Sequence, residues 1–138
     1  MADKSIESEV FEQLKQRALD FRNRRDWSQF HSPKNLAEGL SIESAELLEN
    51  FLWKTTEQSR ELSEKELSRV KEEVGDIFLF LTYLCHELDI DLFAEADRKI
   101  GINEKKYPVE KAKGNCLKYT EYPQERKQDT ERSIQNKD

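Results

Sequence analysis

Two pairs of carboxylates, each set three residues apart inside an apolar helical pattern, constrain this chain most. Glu43 and Glu46 form the first pair within LSIESAELLENFLW, and Glu73 and Asp76 form the second within EEVGDIFLF. Side chains at positions i and i+3 share a helix face. If the two helices pack together, four carboxylates meet in a small space, where they repel each other unless a cation lies between them. The spacing therefore predicts a metal site inside a helical bundle.

Glu43 is the most informative single position, because it interrupts a buried stripe. The helix predicted from about Pro33 to Lys54 has an apolar side made of Leu36, Leu40, Leu47 and Phe51. Glu43 falls in the middle of that side, whereas Glu46 lies on its flank. A carboxylate among buried apolar residues destabilises a fold unless it is paired or bound to a metal.

Scarce turn residues and long periodic stretches predict an all-α protein. The 138 residues include only four Gly and three Pro. Apolar periodicity predicts three further helices, over residues 5–24, 64–88 and 92–106, and the pattern fails from residue 113 onward. In the first of these, Val10, Leu14, Ala18 and Phe21 form the apolar stripe. We expect one all-helical domain over residues 1–112 and a polar, flexible C-terminal tail over residues 113–138.

Polar residues predict where three of these helices begin. Ser32 precedes Pro33 as an N-cap, and Ser63 with Glu66 matches a capping box. Asp91 can cap the fourth helix. The intervening segment 54–62 is polar and aperiodic, which predicts a loop.

Composition excludes several classes of partner. A formal net charge of −6 argues against general affinity for nucleic acid, which needs a basic surface. No apolar run is long enough to span a bilayer, and the N-terminus lacks the apolar stretch of a signal peptide. Cys85 and Cys116 are too few for a disulfide framework or a zinc site, and Cys85 lies on an apolar helix face, where a buried thiol is expected. We expect a cytoplasmic protein without membrane or nucleic-acid partners.

The ligand types favour a hard cation. Carboxylate oxygens suit Mg²⁺, with Mn²⁺ as a substitute, and fit zinc poorly. A di-iron bundle is disfavoured, since it needs His three residues after Glu, and no acid of the two pairs has one. The alternative is that these pairs are solvated, because 29 acidic residues produce such spacings on exposed faces as well.

Aromatic residues near both ends of the second helix suggest what the metal accompanies. Trp27 and Phe30 lie before that helix, close to Gln29 and His31, and Trp53 closes it. They fill a core, or they form a slot in which a flat ring stacks. A nucleobase is such a ring, and its phosphates would explain the cation.

The acid pairs together with their flanking stretches resemble a known family. RDWSQFHSPKNLAEGLSIESAELLENFLW, EEVGDIFLFLTYL, DRKIGINEKKYPV and LKYTEYP are similar to the MazG-type, all-α nucleoside triphosphate pyrophosphohydrolases, above all to their dCTP pyrophosphatase branch. The resemblance covers roughly residues 20–123. It implies a four-helix-bundle core, a homo-oligomer (a tetramer in preference to a dimer) and Mg²⁺-dependent hydrolysis of a dNTP to dNMP and pyrophosphate.

The same resemblance assigns roles to individual residues. The metal ligands and catalytic acids would be Glu43, Glu46, Glu73 and Asp76. The base and sugar pocket would be lined by Trp27, Gln29, Phe30, His31 and Trp53, and also by Phe80, which replaces a Tyr of close relatives and so lacks a hydroxyl. The phosphates would face Lys99, Asn103, Lys106 and Tyr107. This last stretch has Lys where relatives are richer in Arg, so it offers no forked contact at those positions.

The resemblance implies Mg²⁺-dependent hydrolysis of dCTP or a 5-modified dCTP, with cleaning of the nucleotide pool as its purpose. Either Glu46 or Glu49 could orient the attacking water. One alternative is the same chemistry on another dNTP such as dUTP. The other is a non-catalytic helical oligomer that binds a nucleotide.

Overall fold

The chain folds into helices joined by turns in a computed structural model, which describes residues 4–123 and their side chains from residue 9 onward. The α-helices are α1 (Lys4–Asn23), α2 (Pro33–Glu49), α3 (Glu64–Glu87), α4 (Leu92–Lys106) and the short α5 (Val109–Ala112). Three 3-10 helices cover Trp27–Phe30, Gln58–Arg60 and Tyr119–Glu121. Residues 4–123 contain no strand, so the predicted all-α class is confirmed. They divide into two compact units, the first ending at Phe93 and the second beginning at Ala94.

The helices begin where their caps predict. The Ser32 hydroxyl accepts a hydrogen bond from the backbone N–H of Asn35 at 3.2 Å. At the start of α3 the Ser63 hydroxyl accepts from the N–H of Glu66, and the Glu66 carboxylate accepts from the N–H of Ser63. Each contact satisfies an N–H that has no partner inside the helix.

The end of α2 differs from the prediction. The helix ends at Glu49 rather than near Lys54, and residues 50–53 form turns. The Asn50 side chain donates a hydrogen bond to the Glu46 carbonyl. In a continuing helix, that carbonyl would accept only from the backbone N–H of Asn50. Backbone bonds then span three residues instead of four, from Phe51 to Leu48 and onward. Trp53 consequently stands on a turn.

The two central helices, α2 and α3, pack as an antiparallel hairpin. Leu36 of α2 and Tyr83 of α3 share the buried core cluster. One turn along α2, Gly39 meets the ring of Phe80, which lies one turn back along α3. A further turn along, Glu43 faces α3 near Asp76. Steps forward along α2 therefore match equal steps backward along α3.

Helix α1 buries a different face from the predicted stripe. Ala18 is buried as expected, but Leu19 and Arg22 are buried with it, whereas Val10 is 59% exposed. Two contacts with α3 account for this orientation. The Tyr83 hydroxyl donates to the Ala18 carbonyl at 2.9 Å, and the Arg22 guanidinium forms an ion pair with Glu87.

The second unit contains most of α4, with α5 and the segment that follows. The last helical residue of α4 is Lys106, before Tyr107 and Pro108, as predicted. The Tyr107 ring makes edge contacts with Tyr119 and Tyr122, with centroids 5.8 and 6.2 Å apart. The predicted domain boundary at residue 112 stays a prediction, and residues 124–138 of the predicted tail lie outside the described part. Over the described residues, no helix combines the length and apolarity needed to cross a bilayer.

Candidate active site

Three of the four predicted acids form one cluster on the facing sides of α2 and α3. Glu43, Glu73 and Asp76 each offer a carboxylate oxygen, and these oxygens lie within 4.8 Å of one another. Glu43 and Glu73 are half-buried, and Asp76 is exposed. The group consists of carboxylates alone, which is the donor set that Mg²⁺ and Mn²⁺ prefer. The residues therefore fit a hard divalent cation.

The crowding of negative charge changes the acidity of the cluster. Burial raises the pKa of Glu43, and the nearby charges of Glu46, Asp76 and Glu73 raise it further. The pKa of Glu73 is also raised, first by burial and then by Glu46 and Asp76. Charged carboxylates at this separation are costly. A cation held between them would remove that cost.

Glu46, the fourth predicted acid, lies beside the cluster rather than within it. It lines a cleft of about 790 Å³ that also reaches Glu73. The remaining lining residues are Glu49, Asn50, Trp53, Lys54, Gln58, Glu61, Glu66 and Arg69. A volume of this size is typical of small-molecule sites. Trp53 lines the cleft with 91% of its surface exposed, so its ring is open to a ligand.

An ion pair joins the turn after α2 to the start of α3. The Lys54 ammonium lies 2.5 Å from the Glu66 carboxylate, which also belongs to the capping box. The Lys54 contact, followed by hydrogen bonds from Ser63, lowers the pKa of Glu66 to about 2. Because Trp53 directly precedes Lys54, this pair holds the turn that presents the indole.

The cleft contains two cations that the sequence patterns did not single out, Lys54 and Arg69. Arg69 lies four residues before Glu73 in α3, and residues at that spacing share a helix face. The spacing could thus have revealed Arg69. Lys54 had no comparable signal, because its place depends on the early end of α2.

The segment before α2 is not among the residues that line this cleft. Trp27 makes an edge contact with Phe21 at a centroid distance of 5.8 Å, and Phe30 is largely exposed. The Gln29 amide donates to the backbone carbonyl and the carboxylate of Asp26. A role for Trp27, Gln29 and Phe30 in base binding stays a prediction.

His31 and Phe80 lie against the core of the first unit. The His31 ring is 4.8 Å from the Tyr83 ring, and its Nδ1 is buried without a hydrogen-bond partner among the described residues. Burial, followed by the charge of Arg22, lowers the pKa of His31, so the imidazole is neutral at pH 7. The Phe80 ring rests on Gly39 where α2 and α3 touch. The predicted pocket roles of both residues stay untested.

The four residues expected to face phosphates lie in the second unit. Lys99, Asn103 and Lys106 lie at helical spacing in α4, and Tyr107 directly follows its last residue. The Asn103 carbonyl accepts from the Tyr107 N–H, and the Lys106 ammonium lies 5.0 Å from the centre of the Tyr119 ring. Their phosphate contacts stay a prediction.

A sequence model described as the MazG-like family matches residues 39–122, which contain both acid pairs. The chain belongs to the MazG-like family. It is 35% identical over 116 residues to dCTP pyrophosphatase 1 of Bos taurus and of Homo sapiens. That stretch covers 83% of this chain, 69% of the bovine protein and 68% of the human protein.

A solved structure supports the same assignment. The crystal structure of a pyrophosphatase from Archaeoglobus fulgidus shares 39% sequence identity with this chain and superposes with a TM-score of 0.69. The match covers 72% of this chain and 93% of the archaeal one. These relatives confirm the predicted enzyme class, a nucleoside triphosphate pyrophosphohydrolase of the dCTP pyrophosphatase type.

Proposed function

We propose that this MazG-like protein hydrolyses dCTP or a 5-modified dCTP to the monophosphate and pyrophosphate with the help of Mg²⁺. One observation carries the proposal. Three carboxylates from two antiparallel helices meet within 4.8 Å, and one of them also lines a cleft that reaches an exposed indole. The preference for a cytosine base is supported by the similarity to dCTP pyrophosphatase 1 of cattle and humans.

The acids are proposed to hold the metal. Glu43, Glu73 and Asp76 would hold Mg²⁺, with Glu46 beside them, and Mn²⁺ would be accepted as a substitute. Bound there, Mg²⁺ supplies positive charge that neutralises the triphosphate and the departing pyrophosphate.

The cleft residues are proposed to bind and orient the substrate. The exposed face of Trp53 offers a stacking surface for the base, because every nucleobase has a flat π-face. Lys54 and Arg69 offer N–H donors to phosphate oxygens, and Arg69 can do so with a forked guanidinium. Water attacks the α-phosphorus in line with the leaving pyrophosphate, and Glu46 or Glu49 orients that water. Both acids line the cleft, so both stay candidates.

A panel of canonical and 5-modified dNTPs, incubated with and without Mg²⁺, tests the proposal. We expect equal amounts of monophosphate and pyrophosphate, released fastest from dCTP or its 5-modified forms and only with the metal. Fastest release from dUTP would instead support the alternative substrate. Nucleotide binding without any release of pyrophosphate would support the non-catalytic alternative and contradict the proposal.

Exposed apolar residues of the hairpin support the proposed homo-oligomer. Ile42 and Leu48 of α2 are 56% and 60% exposed, and Ala45 lies exposed between them at helical spacing. On α3, Leu67 and Val74 are exposed, two turns apart. An apolar stripe of this kind typically marks a protein interface. We propose that a second copy covers it, in a tetramer rather than a dimer.

Leu48→Glu is expected to shift the oligomer to a smaller species in sedimentation velocity, because a buried unpaired carboxylate disfavours the interface. Val10→Glu places the same charge on an equally exposed apolar residue of α1 and serves as the matched control. An unchanged sedimentation coefficient for Leu48→Glu would show that this face is free in solution.

Mg²⁺ is expected to stabilise the chain at neutral pH and progressively less towards pH 5. The pKa values of Glu43 and Glu73 are raised above the ordinary value of 4.5, so protonation favours the folded state. That stabilisation is complete below about pH 4.5 and is lost as the pH rises through the raised pKa values, after which a cation can replace the protons. Saturating Mg²⁺, at 100 times its Kd, should add about 2.7 kcal/mol to the free energy of unfolding.

Thermal unfolding from pH 5 to pH 8, with and without Mg²⁺, measures this effect. The double variant Glu43→Gln, Asp76→Asn should lose the Mg²⁺ response, since it lacks two of the three clustered acids. A response of equal size in that variant would place the metal elsewhere.

We further propose a cytoplasmic protein that clears unwanted nucleotides. Cys85 and Cys116 are both free thiols, as expected in a reducing compartment. Cys85 is buried on α3, where burial raises its pKa and keeps it unreactive.

A further inference from the structure

Helix α2 meets α3 closely at Gly39, a residue without a side chain. A Cβ atom added to Gly39 would lie 2.3 Å from Cε1 of Phe80 and 2.7 Å from its Cδ1 and Cζ atoms. Carbon atoms pack at about 3.5–4.0 Å, so this space admits no methyl group unless the ring or a helix moves. Gly39 and Phe80 therefore form a tight contact, which we call the Gly39–Phe80 notch.

The notch lies one helical turn from the acid cluster. Glu43 follows Gly39 by four residues in α2, and Asp76 precedes Phe80 by four residues in α3. Residues four apart lie on the same helix face, one above the other. The distance between the two helices at the notch therefore determines the distance between Glu43 and Asp76, one turn away.

On its other side the notch abuts the core, which cannot easily yield. Leu36, three residues before Gly39, is 1% exposed and belongs to the cluster that includes Tyr83. Phe80 itself packs against this cluster. Close-packed interiors transmit strain rather than absorb it. A displacement at the notch is therefore expected to travel towards the carboxylates, where like charges already favour separation.

We propose that Gly39 and Phe80 are a positioning pair, which sets the separation and register of α2 and α3 so that Glu43 and Asp76 can share one cation. The inference rests on the metal site proposed above. It assigns a structural role to Gly39, which has no functional side chain. It also gives Phe80 a role that requires its aromatic ring but no hydroxyl group.

Gly39→Ala is the direct test, measured as the affinity of the full chain for Mn²⁺ by electron paramagnetic resonance of the free ion. We expect binding weaker by about tenfold or more, since metal ligands must stay within about 0.5 Å of their productive geometry. Gly75→Ala is the matched control, because a Cβ there meets nothing within 4 Å. It makes the same substitution inside α3, between two of the acids, and should bind Mn²⁺ as the unaltered chain does.

A second substitution separates positioning from a general effect on folding. Gly39→Ala combined with Phe80→Leu removes the ring that the new methyl group would strike, so Mn²⁺ affinity should recover to within about threefold of the original. Each variant is also checked by circular dichroism. If Gly39→Ala alone does not fold, the double variant decides: a folded protein with recovered affinity supports the inference, and an unfolded or non-binding one overturns it.

The remaining outcomes are equally decisive. Gly39→Ala with unchanged affinity would mean that the Phe80 ring simply rotates away, and the inference would be wrong. An affinity loss that Phe80→Leu does not restore would also overturn it. An unaltered chain that binds no Mn²⁺ would overturn the metal site itself and this inference with it, a result distinct from the other two.

Discussion

Replacing Glu43 by Gln, or Asp76 by Asn, is expected to lower kcat/KM for dCTP by about 10³-fold or more, which corresponds to about 4 kcal/mol of lost transition-state stabilisation. Each change removes one charged oxygen ligand from a group whose oxygens lie within 4.8 Å. The charge that forms on the departing pyrophosphate would then lack a correctly placed cation. Steady-state kinetics with dCTP and Mg²⁺ measures the loss.

The same variants should not lose stability in the absence of metal. Burial and three neighbouring carboxylates raise the pKa of Glu43, so its charge opposes folding at pH 7. A neutral amide of the same shape removes that repulsion, and the free energy of unfolding should stay level or rise. Glu38 is an exposed acid of α2 that pairs with Lys34, so Glu38→Gln serves as the matched control. It should change neither kcat/KM nor the free energy of unfolding appreciably. Hydrolysis of dCTP at the normal rate by both cluster variants would contradict the proposed mechanism.

Replacing Trp53 by Ala is expected to raise KM for dCTP by about 10- to 100-fold, because one base stacked on an aromatic ring contributes about 1–3 kcal/mol. The indole is 91% exposed, so its removal leaves no cavity and should not change the free energy of unfolding. A rise in KM without a change in the free energy of unfolding would locate the effect in substrate binding. Kinetics and chemical denaturation of the same preparation give both values.

Two comparisons sharpen the Trp53 test. Trp53→Phe keeps a flat ring and should recover most of the affinity. Trp27→Ala removes the other indole, which contacts Phe21 and does not line the cleft. If Trp27→Ala raised KM and Trp53→Ala did not, the base would bind beside the 3-10 helix before α2, and the stacking surface assigned to the cleft would be wrong.

The acids of the cluster could be predicted from the sequence because their positions on each helix follow from helix geometry, and the pairing of α2 with α3 then brings them together. A spacing of three residues places Glu73 and Asp76 on one face in any α-helix, and the apolar stripe around Glu43 directs that residue towards a neighbouring helix. Cap residues were equally informative, since Ser32 and Ser63 act on N–H groups only three residues away. Local rules therefore sufficed for the helix starts and for the positions of the acids along each helix.

Features that depend on a partner or on competing hydrogen bonds could not be read in the same way. Asn50 ends α2 through a side-chain bond to Glu46, and nothing in the apolar pattern shows that this bond prevails. The buried face of α1 is rotated towards Leu19 by contacts with Tyr83 and Glu87 in α3, 65 residues away along the chain. The cleft at Trp53 follows from the first of these features.

The antiparallel pairing of α2 and α3 also determines where the chain can change length. The segment between Thr55 and Glu61 joins the helices without entering their pairing, so added residues there would leave Glu43 opposite Asp76. A single residue added between Gly39 and Glu43 would turn that carboxylate by about 100° around the helix axis. In descendants of this chain we expect insertions and deletions to accumulate in the connecting segment and to be absent from the four-residue intervals that separate the notch from the acids.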